Sequence, residues 1–157
     1  MRRILYELVT GYAAAAGCDC EVEEGSCRAA LSVEGVVVHI GLLEESGMLV
    51  FQTGVGALPS GEEARGELCL KLLAADNLFC GTMGFTLGVD EEQGIVTLQL
   101  AWDALHLDAE GFSRIVNNLL SVSLDWMLRL QNWRPSPPEG AKDAAAEESF
   151  LMHVLKV

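Results

Sequence analysis

From Met1 to Gly17 the apolar residues Ile4, Leu5, Leu8, Val9 and Tyr12 recur three and four positions apart, the period of one face of an α-helix. Four alanines follow, and Gly17 offers the left-handed conformation that ends a helix. Cys18 to Ser26 is acidic and reads as a loop. Beyond it the pattern changes to that of strands. Arg28 to Val33, Val36 to Leu43 and Met48 to Thr53 are three strand segments, divided by the turn pairs Glu34-Gly35 and Ser46-Gly47, so a meander of hairpins is expected. Val36-Val37-Val38-His39-Ile40 is apolar almost throughout, which suits a central strand.

Gly54 to Gly61 reads as a loop, and Ser60 with Glu63 has the spacing of a capping box. The helix so opened is expected to run to about Leu78, with Leu68, Leu72, Ala75 and Phe79 on one stripe and Leu70 and Leu73 beside it. Gly81 to Val89 and Ile95 to Trp102 are two further strands around the acidic turn Asp90 to Gly94. A last helix starts near Asp108, a suitable N-cap, and carries Phe112, Ile115, Val116, Leu119, Leu120, Val122, Trp126, Met127 and Leu130. Trp126, at helical spacing, reads as core. Pro135, Pro137 and Pro138 stop the helix. The expected fold class is α+β, in the order helix, three strands, helix, two strands, helix, with an antiparallel twisted sheet and helices packed on it. Residues 1–133 form the folded domain. Residues 134–157 form a Pro, Ala and acid-rich tail that ends in Phe150-Leu151-Met152 and Val154-Leu155.

Composition narrows the function. The 157 residues suit one core, and a chain of that size buries roughly 70% of its unfolded surface. Ten Lys and Arg against 23 Asp and Glu leave a net charge of −13, which repels phosphate backbones and favours basic or neutral polypeptides as partners. Glu7 interrupts the apolar stretch behind Arg2 and Arg3, so nothing resembles a signal peptide, and no window is apolar enough to insert in a membrane. The chain is expected to stay in the cytoplasm, with Cys18, Cys20, Cys27, Cys69 and Cys80 as reduced thiols.

Residues for chemistry are scarce. Cys18-Asp19-Cys20 with Cys27 comes nearest to a metal cluster, but zinc sites use longer gaps and a second ligand pair. His39, His106 and His153 stand apart in sequence. Gly54-Val55-Gly56 and Gly81-Thr82-Met83-Gly84 lack both the dinucleotide fingerprint and the lysine of a phosphate loop, and suit turns. No Gly-x-Ser-x-Gly elbow occurs, and the acid pairs Glu44-Glu45, Glu62-Glu63 and Glu91-Glu92 fall in turns or at a helix start. These features point to a binding protein with no enzymatic activity, no cofactor and no metal. An enzyme or metal protein using the Cys18–Cys27 loop is the competing reading.

Leu72-Leu73-Ala74-Ala75-Asp76-Asn77-Leu78, the Gly-rich entry Gly81-Thr82-Met83-Gly84-Phe85-Thr86-Leu87-Gly88-Val89-Asp90, the strand Ile95 to Leu100 and the helix from Phe112 to Trp126 together resemble the Tir chaperone (CesT/SycE-like) family of type III secretion chaperones. The resemblance covers residues 1 to about 133, by pattern alone in the first 60. It implies a homodimer that binds an extended segment of a secreted effector and keeps it soluble, with the secretion ATPase as a possible further partner. An adaptor of the same fold that sequesters a secretion regulator is the alternative. An exposed sheet edge beside an amphipathic helix suits such binding. Candidate effector contacts are Leu5, Leu8, Tyr12, Val38, Ile40, Leu49 and Phe51, against the reading of each as ordinary core. By analogy, Leu72, Leu73, Leu78 and Phe85 are candidates for the dimer interface, or else for packing within the chain.

Overall fold

A computed structural model describes residues 1–136; the tail beyond Ser136 lies outside the described residues. The elements are α1 (Arg2–Ala16), β1 (Asp19–Val22), β2 (Arg28–Val33), β3 (Val36–Leu43), β4 (Met48–Ala57), α2 (Glu62–Asp76), β5 (Thr86–Asp90), β6 (Ile95–Asp103) and α3 (Ala109–Asn132). Short 3-10 turns follow α2 at Asn77–Phe79 and precede α3 at Ala104–His106. The six strands form one antiparallel sheet in the order β1-β2-β3-β4-β6-β5. This is the α+β class expected, with the helices and the meander where the periodicity put them.

Four details differ from the sequence reading. The acidic segment after α1 is not all loop: Asp19–Val22 forms an edge strand, with Asp19 and Glu21 outward and Cys20 and Val22 half-buried. β4 continues past Thr53 to Ala57 through a register shift between Gly54 and Gly56, and Val55 is buried in the core on the same alternation as Leu49, Phe51 and Thr53. β5 starts at Thr86, because residues 81–84 are turns. The Ser60–Glu63 capping box does not form. Gly61 is the N-cap of α2 with no side-chain cap bond, and the nearby Arg65 Nε donates to the Pro59 carbonyl instead.

The ends of the other helices follow from their sequence. Gly17 sits at φ 66°, ψ 34°, and its N–H closes α1 on the Ala13 carbonyl. Asp108 caps α3, its Oδ1 accepting from the Gly111 N–H at 2.7 Å. One face of the sheet is covered: α1 lies over β1 and β2 and beside α3, while α3 crosses β4 and β6. Alternation then sorts the side chains. In β3, Val36, Val38, Ile40 and Leu42 point into the core, and Val37, His39 and Leu43 point to solvent. α2 stands at the other end of the sheet, against β5. Asp76 at its C-terminus accepts the Leu87 N–H at 3.0 Å, which covers part of the outer edge of β5.

Candidate binding surfaces

The candidate effector contacts divide sharply. Leu5, Tyr12, Val38, Ile40, Leu49 and Phe51 are buried in the core between the sheet and α1 and α3. They are corrected from groove to core positions, for a simple reason: each lies on the inward parity of its strand or helix. Tyr12 shows how firmly they are held. Its ring meets Phe112 edge-on at 5.9 Å, its hydroxyl donates to Asn117 Oδ1 at 2.8 Å, and burial raises its pKa. Leu8 alone of the seven stays half-buried. The interface candidates also divide. Leu72 and Phe85 are core, whereas Leu73 and Leu78 are 68% and 83% exposed. Trp126 is core, as its spacing suggested, and its Nε1 donates to the Gly81 carbonyl at 3.0 Å.

Among the described residues two apolar surfaces stand out. The first is a ridge of Leu70, Leu73, Leu78, Phe79 and Met83, running from the outer side of α2 into the turns that follow it. Leu78, Phe79 and Met83 all have φ between 53° and 55°, a region where a side chain costs about 1–2 kcal/mol. Gly81 packs closely against Ala75: a Cβ there would lie 3.0 Å from the Ala75 Cβ. The strained backbone thus holds apolar side chains outward.

The second is a cleft of about 410 Å³ between β6 and the first turns of α3. β5 pairs with β6 only as far as Thr86 opposite Gln99, so Leu100–Asp103 has no ladder partner on that side among the described residues. Phe85, Leu100, Trp102, Leu107 and Ile115 form its apolar wall, and His106, Asp108, Arg114 and Asn118 its polar rim. At the end of β6 the Asp103 carboxylate accepts the Leu105 N–H at 2.9 Å and pairs with His106 Nδ1 at 2.8 Å, contacts that lower its pKa. The sequence reading missed this cleft. Trp102 near the end of β6 marks one wall of it, but no local pattern shows that β5 stops short. The opposite edge, β1, is flanked by Asp19, Glu21, Glu23 and Glu24, charges that discourage casual pairing with another strand.

The chemistry of the cysteine segment is subdued. Cys18, Cys20 and Cys27 are free and half-buried, and burial raises the pKa of Cys18 and Cys27, which favours the neutral thiol. Among the described residues no three His, Cys, Asp or Glu side chains converge as metal ligands would. No helix among them is long and apolar enough to cross a membrane. Beside Cys27, Arg2 forms a two-pronged pair with Glu44, Nε to Oε1 and Nη2 to Oε2, each at 2.7 Å, and its Nη1 donates to the Gly25 carbonyl at 3.1 Å. The pair ties the start of α1 to the β3–β4 turn, and the Arg2 bonds, with one to Cys27, hold the Glu44 pKa down at about 2.

The profile of the Tir chaperone protein (CesT) family matches residues 7–127. The chain belongs to this family. Its match runs from α1 through most of α3, including both apolar surfaces. Among solved structures, the ExsC–ExsE complex is similar at 23% identity and a TM-score of 0.65, covering 88% of this chain and 98% of that one. The heterodimeric ExoU–SpcU complex from the type III secretion system of Pseudomonas aeruginosa is 20% identical, with a TM-score of 0.59 over 78% of this chain and 98% of that one. YbjN from E. coli, a candidate transcription regulator, has the same TM-score of 0.59 at 14% identity, covering 85% and 96%. At these identities the likeness shows the fold. No curated protein matches the sequence directly.

Proposed function

We propose that this CesT-family chain is a chaperone of type III secretion. It works as a homodimer in the cytoplasm, holding an extended segment of a secreted effector soluble and competent for export, and performs no reaction of its own. The observation that carries this reading is the cleft at Leu100–Asp103. A free strand edge there lies beside an apolar wall and a helix, the arrangement that binds an extended peptide by main-chain pairing and side-chain anchors. Leu8 is a secondary contact candidate. The ridge through Leu73 and Leu78 supports self-association, because a twofold axis would cover the same patch on both copies. The net charge of −13 keeps such a surface soluble. Release of the segment needs an outside energy source, for which a secretion ATPase is the partner expected.

A second reading has a specific support: the similar ExsC structure is a complex with ExsE, so an adaptor that sequesters a regulator of secretion fits the same surfaces. Affinity purification from the source cells, with mass spectrometry of what co-purifies, separates the two. A secreted protein whose bound segment exchanges its amides freely outside a few paired positions supports the chaperone. A non-secreted regulator supports the adaptor. A bound partner that is globular throughout refutes holding of an extended segment.

A further inference from the structure

We propose that the open edge of β6 selects its partner by sequence. It takes a four-residue strand antiparallel to β6 and in line with β5, whose order is basic, apolar, unrestricted, apolar. The first of these residues lies opposite Asp103 and the last opposite Leu100. This rests on the reading of the chain as a holder of extended segments, and specifies which segments the cleft accepts.

A tight turn creates the edge. Met83 and Gly84 sit at φ 53° and 95°, and the Phe85 N–H closes the turn on the Thr82 carbonyl at 3.1 Å. Two successive residues of positive φ make a sharp reversal, so the chain meets β6 only from Thr86 onward.

The hydrogen bonds fix which groups of β6 are on offer. Alternate residues of a strand send their N–H and C=O to opposite sides. Leu87 gives its N–H to Asp76, away from β6, so Thr86 and Gly88 are the residues that face β6, opposite Gln99 and Thr97. Continued by twos along β6, the same side carries the N–H and C=O of Ala101 and the N–H of Asp103. The other parity agrees, because the Ala104 N–H donates to the Gly47 carbonyl at 3.0 Å, on the β4 side.

Side-chain alternation then gives the preference. Residues opposite Trp102 and Leu100 enter the cleft against Leu107 and Ile115, and apolar side chains suit them. The residue opposite Ala101 lies on the uncovered face of the sheet, where a methyl group leaves room for any side chain. The residue opposite Asp103 meets a carboxylate held in place by Leu105 and His106. Opposite charges across two strands attract and like charges repel, so Lys or Arg is favoured there and Asp or Glu rejected.

The test titrates the full chain with a short synthetic peptide, Lys-Leu-Thr-Val between Ser and Gly flanks, and follows the protein amides by NMR. The Ala101 and Asp103 amides are expected to move. Replacing the peptide lysine by Glu should weaken binding about fivefold. Asp103→Asn keeps an acceptor for the Leu105 N–H and should remove that preference. Methylating the threonine nitrogen, which faces Ala101, should abolish binding, whereas methylating the leucine nitrogen, which faces away from β6, should be tolerated. The opposite methylation pattern, equal affinity of the Lys and Glu peptides, or unmoved Ala101 and Asp103 amides overturns the proposal. A co-purified partner that binds with those amides unmoved also overturns it, and leaves the chaperone reading standing. If the peptides behave as expected but the chain captures neither a secreted protein nor a regulator, the strand site stands and the chaperone reading falls.

Discussion

Leu78→Ala separates a surface leucine from a core one and tests the dimer at the same time. In a single chain Leu78 is 83% exposed, so the truncation removes little packing, and the folding stability of the monomer should change by no more than about 0.5 kcal/mol. Alanine inherits the positive φ of this position, so backbone strain is left as it was. In a twofold dimer the balance differs. Fully burying a leucine side chain is worth about 2 kcal/mol, and symmetry repeats the loss, for about 4 kcal/mol per dimer. The dissociation constant should therefore rise by about three decades. Sedimentation across a wide concentration range gives that constant, and urea unfolding at a concentration where the chain is monomeric gives the stability. An unchanged dissociation constant refutes the placement of Leu78 in the interface. A monomer destabilised by about 2–5 kcal/mol, as a core leucine would be, refutes the exposure on which the reasoning stands.

Phe51→Ala should behave in the opposite way: Phe51 is fully buried, with its ring 5.4 Å from that of Phe112, so urea unfolding should show a loss of about 3–5 kcal/mol. Trp102→Ser, on the open cleft, should leave the melting temperature within a few degrees and weaken binding of the effector segment at least tenfold by calorimetry; equal affinity would move the groove elsewhere. Glu44→Gln should lower the melting temperature at neutral pH and make no difference near pH 2. The folded-state pKa of Glu44 is depressed, so its contribution is complete above the ordinary carboxylate value and disappears as the pH falls to about 2; a difference constant with pH would refute the Arg2–Glu44 link.

Legibility along the sequence followed the strength of the local signal. α1 and α3 were readable because each pairs a long apolar stripe with a defined end, Gly17 in one case and Asp108 in the other. β1 was not, since four residues with two acids look like a loop until β2 is there to pair with them. The effector contacts failed for a different reason. In Val36-Val37-Val38 both parities are apolar, so sequence alone does not tell the covered face of β3 from the open one, and Val38 and Ile40 fell on the covered side. The cleft beside β6 depends on β5 stopping at Thr86 while β6 runs on to Asp103. That mismatch between two strands has no local signature. Of the interface candidates, Leu73 and Leu78 are exposed and Leu72 and Phe85 buried, a division that the period of α2 alone does not fix because it does not say which side faces β5.

The bend after α2 joins these observations energetically. Leu78, Phe79 and Met83 hold left-handed conformations that cost about 1–2 kcal/mol each, and their side chains gain little burial in return. A solitary chain would do better to relax the bend and tuck those side chains in. It is prevented by contacts on both flanks: Trp126 Nε1 donates to the Gly81 carbonyl, and Asp76 accepts the Leu87 N–H. Removing either bond leaves a backbone group short of a partner, at about 1–3 kcal/mol where it is shielded from water. The core thus enforces an outward-facing apolar ridge that does not stabilise the single chain. Such an arrangement is favourable when something else covers the ridge, and a second copy related by a twofold axis would cover it on both chains at once.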